Sequence, residues 1–309
     1  MKRRQFIKKG ALAGSLFSFG GSILGAELLS VSDDAQHKFN LKYAPHIGMF
    51  KAHAGEDVVR QLEFMAEQGF TAFEDNEMRN RPLEEQLRMA KAMQRLGIAM
   101  GVFVAHTIYW KEPNLASGKK EWRDEFLAEI EESVEVAKRV NAKWMTVVPG
   151  HVDLRQNMNY QMANVIETLK RASAILEPHG LTMVLEPLNF RDHPGLFLTE
   201  SPQAFEICKA VDSPSCKILF DIYHQQIQEG NLLPNIEACW DEIGYFQIGD
   251  NPGRKEPTTG EINYRNVFKY IHQRGFSGIL GMEHGNSVEG KVGEQRVIDA
   301  YKEADNFLR

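Results

Sequence analysis

Short apolar segments alternate with longer amphipathic segments along most of this chain. Eight apolar runs have the length of β-strands and are bounded by turn residues. They lie at 43–50, 70–74, 97–104, 143–148, 181–186, 216–223, 244–248 and 278–283. Neighbouring parallel strands need a long crossover, which usually contains a helix. The pattern therefore predicts a parallel sheet built from eight β/α units.

The segments between these runs have the three- and four-residue spacing of a helix with one buried face. The clearest is 121–140, where Phe126, Ile130 and Val134 recur at four-residue steps. The other predicted helices lie near 56–68, 83–96, 160–178, 201–211, 232–241, 264–274 and 294–308. Glycine often separates a helix from the next strand, as at Gly97 and Gly180, where a left-handed residue ends a helix.

Eight such units in about 265 residues match a closed (β/α)8 barrel, the TIM barrel of the α/β class. We predict that residues 42–309 form this barrel as a single catalytic domain. The alternative is an open doubly wound sheet. It is disfavoured because no Gly-x-Gly-x-x-Gly motif follows the first predicted strand.

The first thirty residues differ from the rest of the chain. Arg3 and Arg4 are followed by a short apolar, glycine-rich run at 10–26. A basic segment before a short apolar run is typical of an export signal, and paired arginines are typical of the twin-arginine (Tat) route. We expect residues 1–30 to direct export to the periplasm. A retained membrane anchor or an amphipathic first helix is the alternative, although the run is shorter than the ~20 residues of a bilayer span.

Composition narrows the classes of function. The 309 residues carry 36 Lys+Arg and 42 Asp+Glu, a formal net charge of −6, which disfavours a nucleic-acid partner. Three cysteines are too few for a disulfide scaffold, and no CxxC or Cys/His cluster indicates a zinc site built from thiolates. We expect a globular protein whose partner is a small molecule.

Oxygen-bearing side chains close four consecutive predicted strands. Glu186, Asp221, Gln247 and Glu283 follow the apolar residues of strands five to eight. Any one of them alone would more often cap a helix or pair with a cation. Four together indicate a site, because TIM barrels carry their chemistry at the carboxyl ends of the strands. Three carboxylates and an amide oxygen suit a divalent cation such as Mg²⁺ or Mn²⁺, which would also relieve their mutual repulsion.

Three polar motifs of this chain resemble those of hydroxypyruvate isomerases. They are LEPLNFRD at 185–192, FDIYHQQ at 220–226 and QIGDNPGRKEPTTGEINY at 247–264. The resemblance spans the predicted barrel, and the family belongs to the xylose isomerase-like TIM barrels, together with the ketose 3-epimerases. At the strand-seven position those epimerases usually have His, whereas Gln247 agrees with the hydroxypyruvate isomerase branch.

The resemblance implies roles for individual residues. Glu186, Asp221, Gln247 and Glu283 would hold the cation, with Mg²⁺ or Mn²⁺ favoured and Co²⁺ or Zn²⁺ as alternatives. Glu186 and Glu283 would also form the catalytic acid/base pair. His224 and Arg254 would contact substrate oxygens.

Other polar residues near the strand ends are weaker substrate-binding candidates. Glu74 ends strand two and could bind a substrate hydroxyl or form an ordinary ion pair. His106 ends strand three, where a buried structural histidine is the alternative, and Gln226 follows strand six. The segment 106–122 is rich in aromatic and basic residues and matches no family pattern; we expect it to overhang the mouth of the barrel.

The candidate residues are consistent with several functions. We favour, on the resemblance, a metal-dependent aldose–ketose isomerase acting through an enediolate on a small carbohydrate or hydroxy-keto acid. A ketose 3-epimerase, or a lyase acting on a keto-sugar or glycoside, would use the same first step. A non-catalytic sugar-binding barrel would not need two opposed carboxylates. Exposed barrel faces also leave room for a homo-oligomer.

Overall fold

A computed structural model describes residues 37–308, and each predicted apolar run within them contains a strand. The strands are β1 (Lys42–Pro45), β2 (Ala72–Phe73), β3 (Ala99–Met100), β4 (Trp144–Val147), β5 (Thr182–Leu185), β6 (Cys216–Asp221), β7 (Ile243–Gln247) and β8 (Ile279–Met282). The export segment predicted at 1–30 lies outside the described residues. Within 37–308, no helix is both long enough and apolar enough to cross a bilayer.

The strands close into a ring in chain order. One sheet has the order β1-β8-β7-β6-β5-β4, and β2 pairs with β3, all in parallel. Backbone hydrogen bonds join the two parts: Ile47 N–H donates to the Glu74 carbonyl at 3.1 Å, and Thr146 N–H donates to the Phe103 carbonyl at 2.8 Å. The (β/α)8 barrel predicted from the sequence is therefore confirmed.

Helices surround this ring and cover its outer face. They are α1 (Lys51–Ala54), α2 (Val58–Glu67), α3 (Leu83–Leu96), α4 (Lys120–Val140), α5 (Met158–Leu176), α6 (Ser201–Val211), α7 (Ile222–Gln228), α8 (Leu232–Cys239), α9 (Tyr264–Gln273) and α10 (Gly290–Ala304). In α4 the apolar stripe Phe126, Ile130 and Val134 is buried as the spacing predicts, and Asn141 ends the helix in the left-handed conformation with φ 53°.

Three predicted strands extend two or more residues too far. The first ends at Pro45 rather than near residue 50, and α1 follows it. The third ends at Met100 rather than near residue 104. The sixth ends at Asp221, and α7 begins at Ile222. For the sixth strand the reason is local. The Asp221 carboxylate accepts hydrogen bonds from the backbone N–H groups of Tyr223 and His224 and so caps the first turn of α7.

Strand alternation divides the barrel interior into two layers. Apolar or aromatic side chains fill the lower layer, here called the barrel floor: Ala44, Ala72, Val102, Trp144, Val184, Leu219, Tyr245 and Ile279. Because alternate residues of a strand point to the same side, the residue two positions further along each strand also faces inward. Six of these eight residues are polar, and the set is here called the polar layer: His46, Glu74, Val104, Thr146, Glu186, Asp221, Gln247 and Gly281. The site lies in and above this polar layer.

Candidate active site

Glu186 and Asp221 lie side by side above the barrel floor. Both are buried, at 7% and 0% exposure. His224 Nε2 lies 3.9 Å from Glu186 Oε1 and 3.6 Å from Asp221 Oδ2. Asp221 uses its other oxygen to cap α7, so one side chain both starts that helix and presents Oδ2 to the site. Within residues 37–308 no side chain or backbone group donates a hydrogen bond to the Glu186 carboxyl group, which leaves it free to bind a ligand.

Glu283 is held from two sides at the end of β8. Arg254 Nη2 donates to Glu283 Oε2 at 2.7 Å, and Asn76 Nδ2 donates to Glu283 Oε1 at 2.9 Å. Arg254 also lies 3.3 Å from Asp221 Oδ2, and its guanidinium lies over the Tyr223 ring at 4.9 Å. The single guanidinium therefore joins the carboxylates of β6 and β8.

Gln247 is the last residue of β7 and belongs to the polar layer. Its Nε2 donates to Glu74 Oε1 at 3.2 Å. Its Oε1 is buried and has no hydrogen-bond partner among the described residues. A buried amide oxygen without a donor is costly unless something binds it. This oxygen can therefore bind a hydrogen-bond donor, such as a water molecule, or a cation.

The orientation of His224 is fixed by Asn189. The backbone N–H of Asn189 lies 3.3 Å from His224 Nδ1, and Asn189 Nδ2 lies 2.6 Å from the same nitrogen. Asn189 Oδ1 accepts from two backbone N–H groups, so its amide cannot turn over without losing both bonds. Nδ1 is therefore the acceptor and Nε2 carries the proton. Glu186, Asp221 and His224 come close enough to hold a metal ion together, but this tautomer suits a substrate oxygen better than a cation.

The electrostatics of the cluster are dominated by crowded, buried carboxyl groups. Burial, followed by the charges of Glu283 and Asp221, raises the pKa of Glu186 well above its usual range. Burial also raises the pKa of Asp221, against the opposing effect of Arg254. Burial and then Arg254 lower the pKa of His224 to about 3, so the imidazole is neutral near pH 7. A bound divalent cation would relieve the repulsion between these carboxylates.

These residues border a cavity of about 410 Å³ at the carboxyl ends of the strands. Its lining includes Glu186, Glu283, His224, Arg254 and His106. The segment after β3, predicted to overhang the mouth, contributes Trp110, whose ring stacks on His193 at a centroid distance of 5.0 Å. The aromatic pair forms an outer wall above the carboxylates.

Not every predicted site residue lines this cavity. Asp221 and Gln247 are buried and are not part of its lining. Glu74 is completely buried behind Gln247, and burial followed by the charge of Glu283 raises its pKa well above the usual range. Gln226 does not line the cavity; its Nε2 donates to Glu261 at 3.2 Å. His106 lines the cavity but is almost fully buried, and its Nε2 accepts from Val148 N–H at 3.2 Å.

Sequence reasoning missed three residues that position the site. Asn76 follows Glu74 by two residues at the end of β2, and Asn189 lies inside the LEPLNFRD motif. Both could have been found as polar residues next to a strand end. Tyr245, whose hydroxyl donates to Glu74 Oε2 at 2.9 Å, reads in sequence as an ordinary barrel-filling aromatic residue.

The closed ring and the oxygen-bearing side chains at its rim are features of a xylose isomerase-like TIM barrel. The sequence profile of that family matches residues 62–308, and the chain belongs to it. Among curated proteins it is similar to hydroxypyruvate isomerase of Escherichia coli (strain K12), with 32% identity over 179 residues, covering 58% of this chain and 69% of that protein. This relative is named as an isomerase.

A second relative and a solved structure extend the comparison. The 2-oxo-tetronate isomerase of Cupriavidus necator is 32% identical over 160 residues, covering 52% of this chain and 62% of that protein. The structure of D-psicose 3-epimerase with D-tagatose from Clostridium cellulolyticum H10 superposes with a TM-score of 0.71 at 16% identity, covering 87% of this chain and 100% of that one. The last similarity concerns the fold alone.

Proposed function

We propose that this protein is a divalent-cation-dependent isomerase that moves a carbonyl group between adjacent carbons of a small hydroxycarbonyl compound. The observation that carries the proposal is the pair Glu186 and Glu283, which reach one cavity from the ends of β5 and β8. The buried oxygen of Gln247, which has no partner among the described residues, supports it. Relatives named hydroxypyruvate isomerase and 2-oxo-tetronate isomerase support the same reaction class.

The donor set fits a cation that prefers oxygen ligands. Glu186, Asp221, Gln247 and Glu283 would hold it, and these hard ligands favour Mg²⁺ or Mn²⁺. The charge of three carboxyl groups exceeds what Arg254 alone compensates. A cation bound there would polarise the substrate carbonyl and stabilise the negative charge of an enediolate.

The protein groups supply the proton transfers. Glu186 or Glu283, as a carboxylate, removes the proton from the hydroxyl-bearing carbon next to the carbonyl, and the other, as a carboxylic acid, donates a proton to the former carbonyl carbon. The hydroxyl proton of the substrate passes to the former carbonyl oxygen, and proton exchange with water returns both carboxyl groups to their starting states. His224 Nε2–H and the Arg254 guanidinium donate hydrogen bonds to substrate oxygens as their charge grows. Asn76 holds Glu283 and Asn189 holds His224, so both groups meet the substrate already oriented.

A second outcome of the same chemistry is epimerisation of a larger ketose. The cavity of about 410 Å³ lies within the range of roughly 300–1,000 Å³ that is usual for small-molecule sites, so its size leaves room for a substrate longer than three carbons. The exposed ring of Trp110 offers a stacking surface for a longer sugar. If the proton returns to the same carbon from the opposite side, the product is an epimer.

Deuterium incorporation tests the proposal. Mn²⁺-loaded protein is incubated in D₂O with hydroxypyruvate, 2-oxo-tetronate or several ketoses, and deuterium next to the carbonyl is followed by NMR. We expect incorporation with at least one substrate, and the product separates isomerisation from epimerisation. Glu186→Gln and Glu283→Gln should abolish incorporation, whereas Glu261→Gln, a glutamate outside the cavity lining, should retain it. Incorporation that persists in both cavity variants would refute the acid/base assignment.

A further inference from the structure

Glu74 is a buried carboxyl group that touches no part of the cavity. Gln247 Nε2 donates to its Oε1 at 3.2 Å, and the Tyr245 hydroxyl donates to its Oε2 at 2.9 Å. Tyr245 and Gln247 are two residues apart on β7, so they point inward one above the other. Glu74, which follows β2 three strands away around the ring, thus contacts the inner face of β7 at two levels.

Two glycines, Gly281 and Gly101, leave space in the barrel interior for the Glu74 carboxyl group and its partner Tyr245. Gly281 is the one member of the polar layer without a side chain, and a Cβ there would lie 1.9 Å from Glu74 Oε2. A Cβ at Gly101 would lie 2.4 Å from the Tyr245 hydroxyl. Neither glycine has a positive φ, so neither is required by its backbone conformation. Both make room for the hydrogen-bonded pair Glu74–Tyr245.

The contact with Glu74 decides which end of the Gln247 amide is turned away from Glu74. A side-chain amide has a donor end and an acceptor end of nearly equal shape, so its orientation is set by its hydrogen bonds. With Nε2 bonded to Glu74, Oε1 is the end that is left buried and without a partner in the described part of the chain. When the Glu74 carboxyl group is ionised, the reverse orientation would bring the Gln247 and Glu74 oxygens together and leave an NH₂ group in the place of Oε1.

We propose that Glu74, anchored by Tyr245 and accommodated by Gly281, is a positioning residue that directs the amide oxygen of Gln247 into the cation site. This inference rests on the proposed function, because it requires that the site binds a divalent cation. It assigns Glu74 a role different from contact with a substrate hydroxyl. Partners that orient a metal ligand from behind typically contribute a factor of about 10–100 to metal affinity.

Mn²⁺ titration followed by electron paramagnetic resonance of the free ion tests the proposal at pH 8. We expect Glu74→Leu to bind Mn²⁺ about 10–100-fold more weakly than the wild type. Glu74→Gln keeps a carbonyl acceptor for Nε2 and should retain most of the affinity. In a Gln247→Ala background, Glu74→Leu should cause no further loss, because the group that it positions is absent.

The outcomes separate the two hypotheses. If the wild type binds no Mn²⁺, the proposed cation site is wrong. If the wild type binds Mn²⁺ and the effects of Glu74→Leu and Gln247→Ala add independently, Glu74 does not act through Gln247 and the inference is wrong. Should Glu74→Leu fail to fold, Tyr245→Phe replaces it. We expect Tyr245→Phe to weaken Mn²⁺ binding several-fold in the wild-type background and to have no effect in the Gln247→Ala background. Unchanged Mn²⁺ binding by Tyr245→Phe alone would overturn the inference.

Discussion

Substitution of Gly281 by alanine tests the packing around the Glu74 carboxyl group. An alanine Cβ would lie 1.9 Å from Glu74 Oε2, 2.7 Å from its Cδ and 3.0 Å from Oε1. All three distances are shorter than van der Waals contact. Glu74 is completely buried, so its side chain has no solvent into which it can turn. Either Glu74 or strand β8 must therefore move.

The cost follows from the contacts that would be lost. Overpacking of a well-filled interior costs about 1–3 kcal/mol. Displacing Glu74 leaves the Tyr245 hydroxyl and Gln247 Nε2 without their buried acceptor, at about 1–3 kcal/mol for each group. We expect Gly281→Ala to lower the free energy of unfolding by about 3–9 kcal/mol. For a domain of this size that corresponds to a Tm lower by roughly 6 °C or more.

Urea unfolding and calorimetry measure this loss, with two controls. Gly253→Ala should have little effect, because a Cβ there meets only Lys255 Cγ at 3.5 Å. In the double variant Glu74→Ala/Gly281→Ala the clash is absent. Its loss of unfolding free energy should therefore be smaller than the sum of the two single losses by more than about 1 kcal/mol. A stable Gly281→Ala protein, or strictly additive effects, would refute the reasoning.

Three further predictions concern the cation and two residues near it. Mn²⁺ at 100 times its Kd should raise the free energy of unfolding by about 2.7 kcal/mol, reversibly with EDTA; a Tm unaffected by Mn²⁺ would contradict the site. Asn189→Ala should lower kcat/KM about 10-fold or more, because His224 loses the side-chain partner that orients it. The affinity for Mn²⁺ should stay near that of the wild type. A matching fall in Mn²⁺ affinity would instead indicate that His224 is a metal ligand. Burial lowers the pKa of His106 to about 4, so between pH 6.5 and 4 the unfolded chain binds a proton that the native state does not. Stability should therefore decline as pH falls through this window, and His106→Gln should flatten the decline in urea unfolding; an equal decline in both proteins would contradict this assignment.

The sequence pattern predicted the barrel because strand ends and helix faces are local properties. Each apolar run contains a strand, since its residues pack on both sides of a parallel sheet. The same pattern placed Glu186, Asp221 and Gln247 on the inner face of the barrel, because each follows a barrel-floor residue by two positions. Chain order and the inward alternation of side chains were enough for this part of the site.

The parts that sequence could not predict depend on contacts between distant strands. The end of β6 was misjudged because Asp221 serves as a helix cap as well as a site residue. The place of Glu74 behind Gln247 depends on the empty volume at Gly281, which is 207 positions away along the chain and reads as an unremarkable strand glycine. Asn76 shows the same separation from Glu283, to which it donates. Such contacts follow from ring closure and leave no local pattern.

The distribution of the site along the chain has a consequence for biosynthesis. The candidate ligands lie on β5 to β8, and the last of them, Glu283, follows β8 shortly before the final helix α10. A nascent chain whose strand β8 has not yet emerged therefore lacks three parts of the barrel. These are the candidate ligand Glu283, the strand that completes the ring, and Gly281, which leaves space for Glu74. The site proposed for the cation is therefore complete only after residue 283 has left the ribosome. Mn²⁺ capture by stalled chains of increasing length would accordingly report the moment at which the last strand docks.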